Sequence, residues 1–376
     1  MSDRPLLPVV TSDPGELLTA LTVALRGEGP ALLVLPEGPE GERLRAAARL
    51  DDPVDADTAV VIATSGSSGI PKFTELTAAA LTYSARATHE WLGGPGRWVL
   101  ALPSSRVAGL QILVRSIVGG SDPLLALPFT ADSFAAASPP GQGMSPRDEG
   151  MRSYTSLVPT QLLRLLDAGV SLSGYDAILV GGAGIAPALL ERARAAGARI
   201  VRTYGMTETC GGCVYDGEAL PGVDIDIDVD GQIRIAGPML ARGYRGRDSS
   251  AFVDGWFRTD DLGRWRDDGR LEVLGRADDV IVTGGVKVPP AVVEAALSAH
   301  PRVREVVVAG RPDPEWGQRV VAFVLPVNPA APPTLAELRE FVAGAVGKAE
   351  MPRELVILEE LPVLPSGKVD RSALGN

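Results

Sequence analysis

The chain has 376 residues, long for one hydrophobic core, so two or more domains are expected. Its 45% hydrophobic and 22% charged residues are an ordinary globular composition, and a formal net charge of -11 with no basic run argues against a nucleic-acid partner. The start MSDRPLLPVVTSDPGELL has no basic region leading into a long apolar core, and no later stretch is apolar for long enough to cross a bilayer. The expected class is a cytoplasmic enzyme of small molecules, with no nucleic-acid or membrane partner.

SDPGELLTALTVALR opens with Asp13 and Glu16 around Pro14, a capping pattern that predicts a helix start, and ALLVLP predicts a strand. Thr58 to Ala63 (TAVVIA) is a β-branched apolar run that predicts a buried strand, and ELTAAALTYSARATHEWL predicts a helix with Thr77 as its N-cap. Between them lies TSGSSGIPKF, Thr64 to Phe73, a loop after a strand. Its small residues let backbone N–H groups and hydroxyls approach an anionic oxygen, and Lys72 adds a positive charge, which suits a polyphosphate. It is not a Walker loop, because Gly69 is followed by Ile70, Pro71, Lys72 and Phe73. A polar surface turn is the plain alternative. RWVLALP, DAILVGG and ARIVRTYG predict further strands, and AGLQILVRSIV, PTQLLRLLDAG and APALLERARAAGA predict helices. This alternation points to α/β layering around a mostly parallel sheet. SPPGQGMSPRDEG, Ser138 to Gly150, is rich in turn-formers and reads as a mobile loop.

YGMTET, Tyr204 to Thr209, follows a strand and offers an aromatic face, a hydroxyl and a carboxylate within one turn, the parts needed to stack a base, touch a phosphate and hold Mg²⁺. Cys210 and Cys213 form a CGGC pair, but no second pair exists and His89 and His300 are far away in sequence, so an incidental position in a Gly-rich loop is expected rather than a redox or zinc site. PGVDIDIDVDGQIRIAG alternates apolar and acidic residues, the period of a half-exposed antiparallel strand with a turn at Asp230-Gly231. In GWFRTDDLG, Asp261 could accept both hydroxyls of a ribose, although Asp260 and Asp261 also suit a turn. From about Ala277 a pattern of strands with the helices PPAVVEAALSA and TLAELREFVAGAV describes a compact α+β unit, with a domain boundary at Arg276 to Asp278. PSGKVDR presents Lys368 on a Gly-containing loop near the C-terminus.

In this order and company the motifs TSGSSGIPK, YGMTET, GWFRTDDLG, GRADDVIVTGG and PSGKVDR resemble those of the adenylate-forming superfamily of acyl-CoA ligases, luciferases and nonribosomal adenylation domains, from Ala63 to Arg371. Within it the short region before the phosphate loop, VAGLQILVRSIV and YGMTETCGGCVYDG are similar to the actinobacterial o-succinylbenzoate:CoA ligases of menaquinone biosynthesis. The resemblance implies an α/β fold with a large N-terminal domain of layered, mostly parallel sheets (residues 1–276) and a small C-terminal α+β domain on a hinge (residues 277–376). It implies ATP, Mg²⁺ and coenzyme A as reaction partners of a carboxylic acid, and leaves a homodimer open. A CoA ligase for another aryl or acyl acid, or a nucleotide-binding relative without catalysis, are the alternatives.

Carried onto this sequence, the resemblance implies that Thr64, Ser65, Gly66, Ser67, Ser68, Gly69 and Lys72 embrace the β- and γ-phosphates. Gly181, Gly182 and Ala183 line the adenine and Tyr204 stacks on it. Thr207 meets the α-phosphate, Glu208 holds Mg²⁺, Asp261 and Arg276 take the ribose, and Lys368 bridges carboxylate and α-phosphate. Asp278 is the hinge that later presents the strand around Gly284 to Lys287. Ser156, Gly205 and Thr209 fall to the acid. Two departures stand out. ALPSSRVAGLQ puts Arg106 where many relatives have His, a cation able to pair with a second carboxylate, though it could also cap the helix or face solvent. Phe73 follows the loop lysine where Gly is usual.

Overall fold

A computed structural model describes residues 3–10, 13–64, 70–137, 150–246, 250–362, 369–371 and 373–375. Two compact units result: Met1–Gly182, Ala193–Asp226 and Arg234–Arg258 in the first, and Ala183–Arg192, Ile227–Ile233 and Thr259–Asn376 in the second. The chain opens with β1 (Leu6–Val10), α1 (Pro14–Leu25), β2 (Ala31–Leu35), α2 (Gly38–Ala47), β3 (Thr58–Thr64), β4 (Lys72–Thr77) and α3 (Ala78–Trp91). There follow β5 (Gly96–Leu100), α4 (Val107–Gly119), β6 (Leu124–Leu125), α5 (Ala131–Ala137), β7 (Arg152–Leu157), α6 (Pro159–Asp167), β8 (Ala177–Val180), α7 (Pro187–Ala195), β9 (Ile200–Met206), β10 (Gly211–Tyr215) and β11 (Glu218–Ala219). Short strands come next: β12 (Asp224–Ile227), β13 (Gln232–Ala236), β14 (Gly243–Tyr244), β15 (Phe252–Val253), β16 (Trp256–Trp265) and β17 (Leu271–Arg276). The chain ends with β18 (Ile281–Thr283), β19 (Val286–Val288), α8 (Pro290–Ser298), β20 (Val303–Asp313), β21 (Gly317–Pro326), α9 (Leu335–Val342) and β22 (Glu354–Ile357).

The first unit holds two layered sheets. One runs β1-β2-β3-β4-β14, with β1, β2 and β3 parallel and the last two strands antiparallel to their neighbours. The capping chemistry is as expected: Asp13 Oδ1 accepts the N–H groups of Gly15 (2.7 Å) and Glu16 (3.2 Å), and Thr77 Oγ1 accepts that of Ala80 (3.0 Å). What precedes Thr77 differs from expectation. Lys72 to Thr77 is strand rather than loop and helix start, because Phe73 is buried against Leu33, Leu35, Val61 and Ala63 while the backbone pairs with β3. Phe73 is thus a core residue of β4.

The other sheet runs β11-β10-β9-β8-β7-β5-β6, and β6, β5, β7, β8 and β9 are parallel. In chain order these five read second, first, third, fourth, fifth, so the winding reverses between β5 and β7. In open α/β sheets ligands bind outside the carboxyl ends of the strands at such a switch point. Cys210 is in the turn after β9, at φ 51, as a loop position requires, whereas Cys213, also expected in a loop, is in β10. Both thiols are free and fully buried, which pushes Cys213 up to about 12 and Cys210 higher still. The expected mobile stretch falls, from 138 to 149, outside the described residues.

In the second unit β16 and β17 form a hairpin that sets Asp261 opposite Arg276, so Asp260 and Asp261 lie in a strand and not a turn. A further sheet runs β19-β18-β21-β20, with β22 parallel on β21. Ile281, Val288, Val293, Leu297, Val308, Val320, Leu338 and Val342 form the core beneath α8 and α9. Gly284 and Gly285, expected in a strand, instead make the two-residue turn between β18 and β19, with φ of 56 and 79. A turn so tight needs left-handed backbone at both positions, which glycine adopts without strain. Among the described residues no helix is long and apolar enough to cross a membrane.

Candidate active site

The parallel strands of the larger sheet deliver the predicted residues to one edge. Ser104 to Arg106 follow β5, Ser156 sits near the end of β7, Gly181 and Gly182 follow β8, and Thr207 to Thr209 follow β9 as a single 3₁₀ turn. Ala183, the next residue after Gly182, is exposed. The glycines answer to space and backbone. A Cβ on Gly181 would lie 2.2 Å from Thr203 Oγ1, one on Gly205 would lie 2.0 Å from the Gly211 carbonyl oxygen, and Gly182 has φ 79. Tyr204 is half-buried in β9 opposite Val214, and Thr207 and Glu208 are buried. The turn is locked from inside: Thr209 Oγ1 accepts the Met206 N–H at 2.9 Å and lies 2.7 Å from the Gly211 carbonyl oxygen, to which it donates. The Thr209 hydroxyl, expected to meet substrate, holds the turn of Thr207 and Glu208 in place through these bonds.

The smaller sheet supplies the other half of the site. Thr64 and Lys72 face each other across the mouth of the β3–β4 hairpin, and the Thr64 hydroxyl lies 3.5 Å from the Lys72 carbonyl oxygen. Ser65, Gly66, Ser67, Ser68 and Gly69, the rest of the predicted phosphate loop, lie outside the described residues, as does Lys368. Lys72 and Glu208, far apart in sequence, meet around Tyr244. The Tyr244 hydroxyl donates to Glu208 Oε1 at 2.7 Å, and Lys72 Nζ stands 5.1 Å from the centre of the same ring. Tyr244, in ARGYRG, is the residue that sequence reasoning missed. A two-residue strand has no periodicity to betray it, and the one available signal was an aromatic between arginines.

The remaining predicted residues are set as follows. Arg106 occupies the N-cap position of α4 with no side-chain cap bond, and its Nη2 pairs with Glu40 Oε1 at 3.0 Å, both side chains about two-fifths exposed (38% and 40%). Ser156 is buried, and among the described residues its Oγ has no hydrogen-bond partner. In the second unit Arg276 donates to Asp260 and to Asp278, each at 3.1 Å. Burial works against its charge, but the bond to Asp278 and the charges of Asp261, Asp278 and Asp260 outweigh it and raise its pKa.

Among the described residues no group of three or more His, Cys, Asp or Glu side chains converges. A sheet edge bearing one carboxylate, one ammonium from the neighbouring sheet and close-packed glycines suits a metal-bound polyphosphate nucleotide.

The comparisons with known proteins agree with that geometry. Residues 15–245 match the AMP-binding enzyme family and residues 292–368 the AMP-binding enzyme C-terminal domain, so the chain belongs to the AMP-binding enzymes and has their adenylate-forming fold. Over 365 residues it is 47% identical to a Mycobacterium tuberculosis protein named "Probable 2-succinylbenzoate--CoA ligase", covering 95% of this chain and 94% of that one. It is 32% identical over 337 residues to the 2-succinylbenzoate–CoA ligase of Listeria monocytogenes, covering 84% and 69% respectively. The structure of the Bacillus subtilis o-succinylbenzoate CoA synthetase in complex with its acyl-adenylate intermediate superposes with a TM-score of 0.77 at 26% identity, covering 99% of this chain and 88% of that one. A second structure of that synthetase, with ATP and magnesium ion, gives 0.75 at 25% identity, covering 98% and 89%.

Proposed function

We propose that this protein is an ATP-dependent acid:CoA ligase that works through an acyl-adenylate, that its acid is o-succinylbenzoate, and that it serves menaquinone biosynthesis in the cytoplasm. The observation that carries the reading is the meeting of Lys72 and Glu208 at the carboxyl edge of a switch-point sheet, in a chain similar end to end to ligases named for 2-succinylbenzoate.

The acid's carboxylate attacks the α-phosphorus of ATP and expels pyrophosphate. The thiol of coenzyme A then attacks the acyl carbon of the mixed anhydride and expels AMP. Lys72, with Thr64 and the loop residues 65–69, holds the β- and γ-phosphates. Gly181, Gly182 and Ala183 line the adenine against Tyr204, Thr207 meets the α-phosphate, and Asp261 and Arg276 hold the ribose. Gly205, Thr209 and Ser156 border the acid, and the Ser156 hydroxyl, without a partner among the described residues, is its hydrogen-bond donor. Glu208 and the nucleotide's phosphates would hold Mg²⁺, which when bound draws charge from the phosphate oxygens. Lys368 places a positive charge between carboxylate and α-phosphate, where two anionic groups have to approach. The hinge lies at Arg276–Asp278, between a large domain 1–276 and a small domain 277–376, with Asp278 as its pivot.

A second reading, a ligase for an acid without a second carboxylate, draws support from one observation: Arg106, the cation offered for that carboxylate, is already paired with Glu40. Pyrophosphate release with a panel of carboxylic acids, with and without coenzyme A, tests both. The expected result is release with o-succinylbenzoate above all other acids, with AMP as the spent nucleotide. ADP as product would overturn the whole reading, and preference for a monocarboxylic acid would overturn the first in favour of the second.

A further inference from the structure

Lys72 and Glu208 carry opposite charges at the same crevice, yet among the described residues they form no ion pair with each other. Direct pairing would occupy both groups, and a charge-assisted bond is roughly twice as strong as a neutral one. Tyr244 prevents that collapse. Its hydroxyl satisfies one oxygen of the buried Glu208 carboxylate, and its ring face takes the Lys72 ammonium. Both contacts are with a neutral side chain, so an incoming phosphate or cation can replace or supplement them without breaking an ion pair.

The tyrosine is held firmly enough to act this way. Gly243 and Tyr244 pair antiparallel with Glu75 and Thr74 of β4, the Arg245 N–H donates to the Phe73 carbonyl at 2.8 Å, and the Ala241 N–H donates to the Glu208 carbonyl at 2.8 Å. The Arg245 guanidinium anchors the segment on the carbonyls of Ala48 (3.0 Å) and Arg49 (2.7 Å) and pairs with Glu75 at 3.6 Å. Phe252 packs edge-on against the Tyr244 ring, with centroids 5.5 Å apart. The ring is therefore tied through its backbone to both elements it spaces, β4 and the turn after β9.

We infer that Tyr244 is a positioning residue that keeps Lys72 and Glu208 apart and aimed at the crevice until metal-bound ATP arrives; this rests on the nucleotide-binding reading above. Calorimetric binding of Mg²⁺·ATP, of ATP in excess chelator and of AMP to the full chain separates this role from a structural one. Tyr244→Phe, which loses one oxygen atom, should weaken Mg²⁺·ATP binding by roughly 10 to 100-fold, about the loss of one hydrogen bond to a charged group, and leave AMP binding unchanged. Tyr244→Leu, which also removes the ring face, should weaken Mg²⁺·ATP further and begin to weaken metal-free ATP. In a double-mutant cycle Tyr244→Phe should add little to Glu208→Gln. Equal losses for AMP and Mg²⁺·ATP in Tyr244→Phe, or full additivity with Glu208→Gln, would overturn the inference and leave Tyr244 as a packing residue. Failure of the wild-type chain to bind any of the three nucleotides would instead sink the nucleotide-binding reading. If Tyr244→Leu does not fold, Tyr244→Phe alone decides.

Discussion

At the carboxyl edge of the first unit, charge is left uncommitted: Lys72 and Glu208 share a neutral tyrosine, one through its ring face and the other through its hydroxyl. On the second unit's sheet, charge is committed. Glu354 bridges Arg311 (2.8 Å) and Arg319 (2.7 Å), Arg319 also reaches Asp313 (3.6 Å), and Arg371 grips Glu294 through two nitrogens (2.6 and 3.0 Å). The difference teaches what each set is for. Groups that have to receive a polyanion and its cation are satisfied by weak, exchangeable partners, whereas a small unit with a modest core adds networked ion pairs to hold its strands.

The largest expected effect tests whether the second unit also lends a working charge. Lys368→Ala should slow adenylate formation by roughly 100 to 1,000-fold, the scale for losing one preorganised charge-stabilising donor. Thioesterification of supplied acyl-adenylate should survive. Equal loss of both half-reactions in a folded protein would mean that Lys368 serves structure as the other cations of its unit do.

Acid should next separate the two units. His89, buried beside Arg115 and accepting the Trp98 Nε1–H at 3.4 Å, has its pKa lowered to about 4, first by burial and then by the Arg115 charge. With the folded value below the unfolded 6.5, the unfolded chain takes up the proton first as pH falls. Stability of the first unit is therefore full above about pH 6.5, declines toward pH 4 and then levels, by roughly 3 kcal/mol at about 1.4 kcal/mol per pKa unit. In the second unit the Glu337 carboxyl is lowered from 4.5 to about 2, chiefly by the Thr334 backbone N–H, so its contribution is full above the unfolded value and is lost progressively as pH falls from there through about 2. Urea midpoints followed unit by unit at pH 7.5, 5.5 and 4.5 should show the first unit weakening more than the second, where His300, also lowered by burial and the Arg302 charge, gives a smaller loss over the same range. His89→Gln, which keeps an acceptor, should flatten that decline, and an unchanged decline would place the sensitivity elsewhere.

Breaking one committed pair should have a smaller effect. Arg371→Ala removes a two-pronged bond to Glu294 and a bond to the Val308 carbonyl (2.7 Å), and should destabilise the second unit by about 2 kcal/mol in denaturant titration, with nucleotide affinity of the first unit unaffected. The smallest effect concerns Arg106. Arg106→Ala should raise the Michaelis constant for o-succinylbenzoate roughly tenfold, about 1.4 kcal/mol, and leave that for ATP nearly unchanged, while Glu40→Gln should lower it by releasing the guanidinium. A monocarboxylic analogue should not distinguish these variants. If it does, Arg106 belongs with the structural pairs of the second unit rather than with the available charges of the first.

Local chemistry made much of this molecule legible in the sequence. Asp13 and Thr77 cap the helices they were expected to cap, the β-branched runs are the buried strands, and the C-terminal alternation of strands and helices stands as predicted, because caps and periodicity act within a few residues. The larger sheet's candidate site residues follow or end strands, as their motifs required. Only the tertiary structure decided which of them meet. Phe73 is a core residue because β3 lies beside β4, and Thr209 is a lock because its turn closes on Gly211. Arg106 is already engaged because α2 brings Glu40 to it. Tyr244 matters because a two-residue strand, anchored by Arg245, carries it between a lysine 172 positions and a glutamate 36 positions before it in the chain. Sequence patterns report the conformation of neighbours along the chain, whereas the partners of a single side chain are set by packing among elements far apart in it.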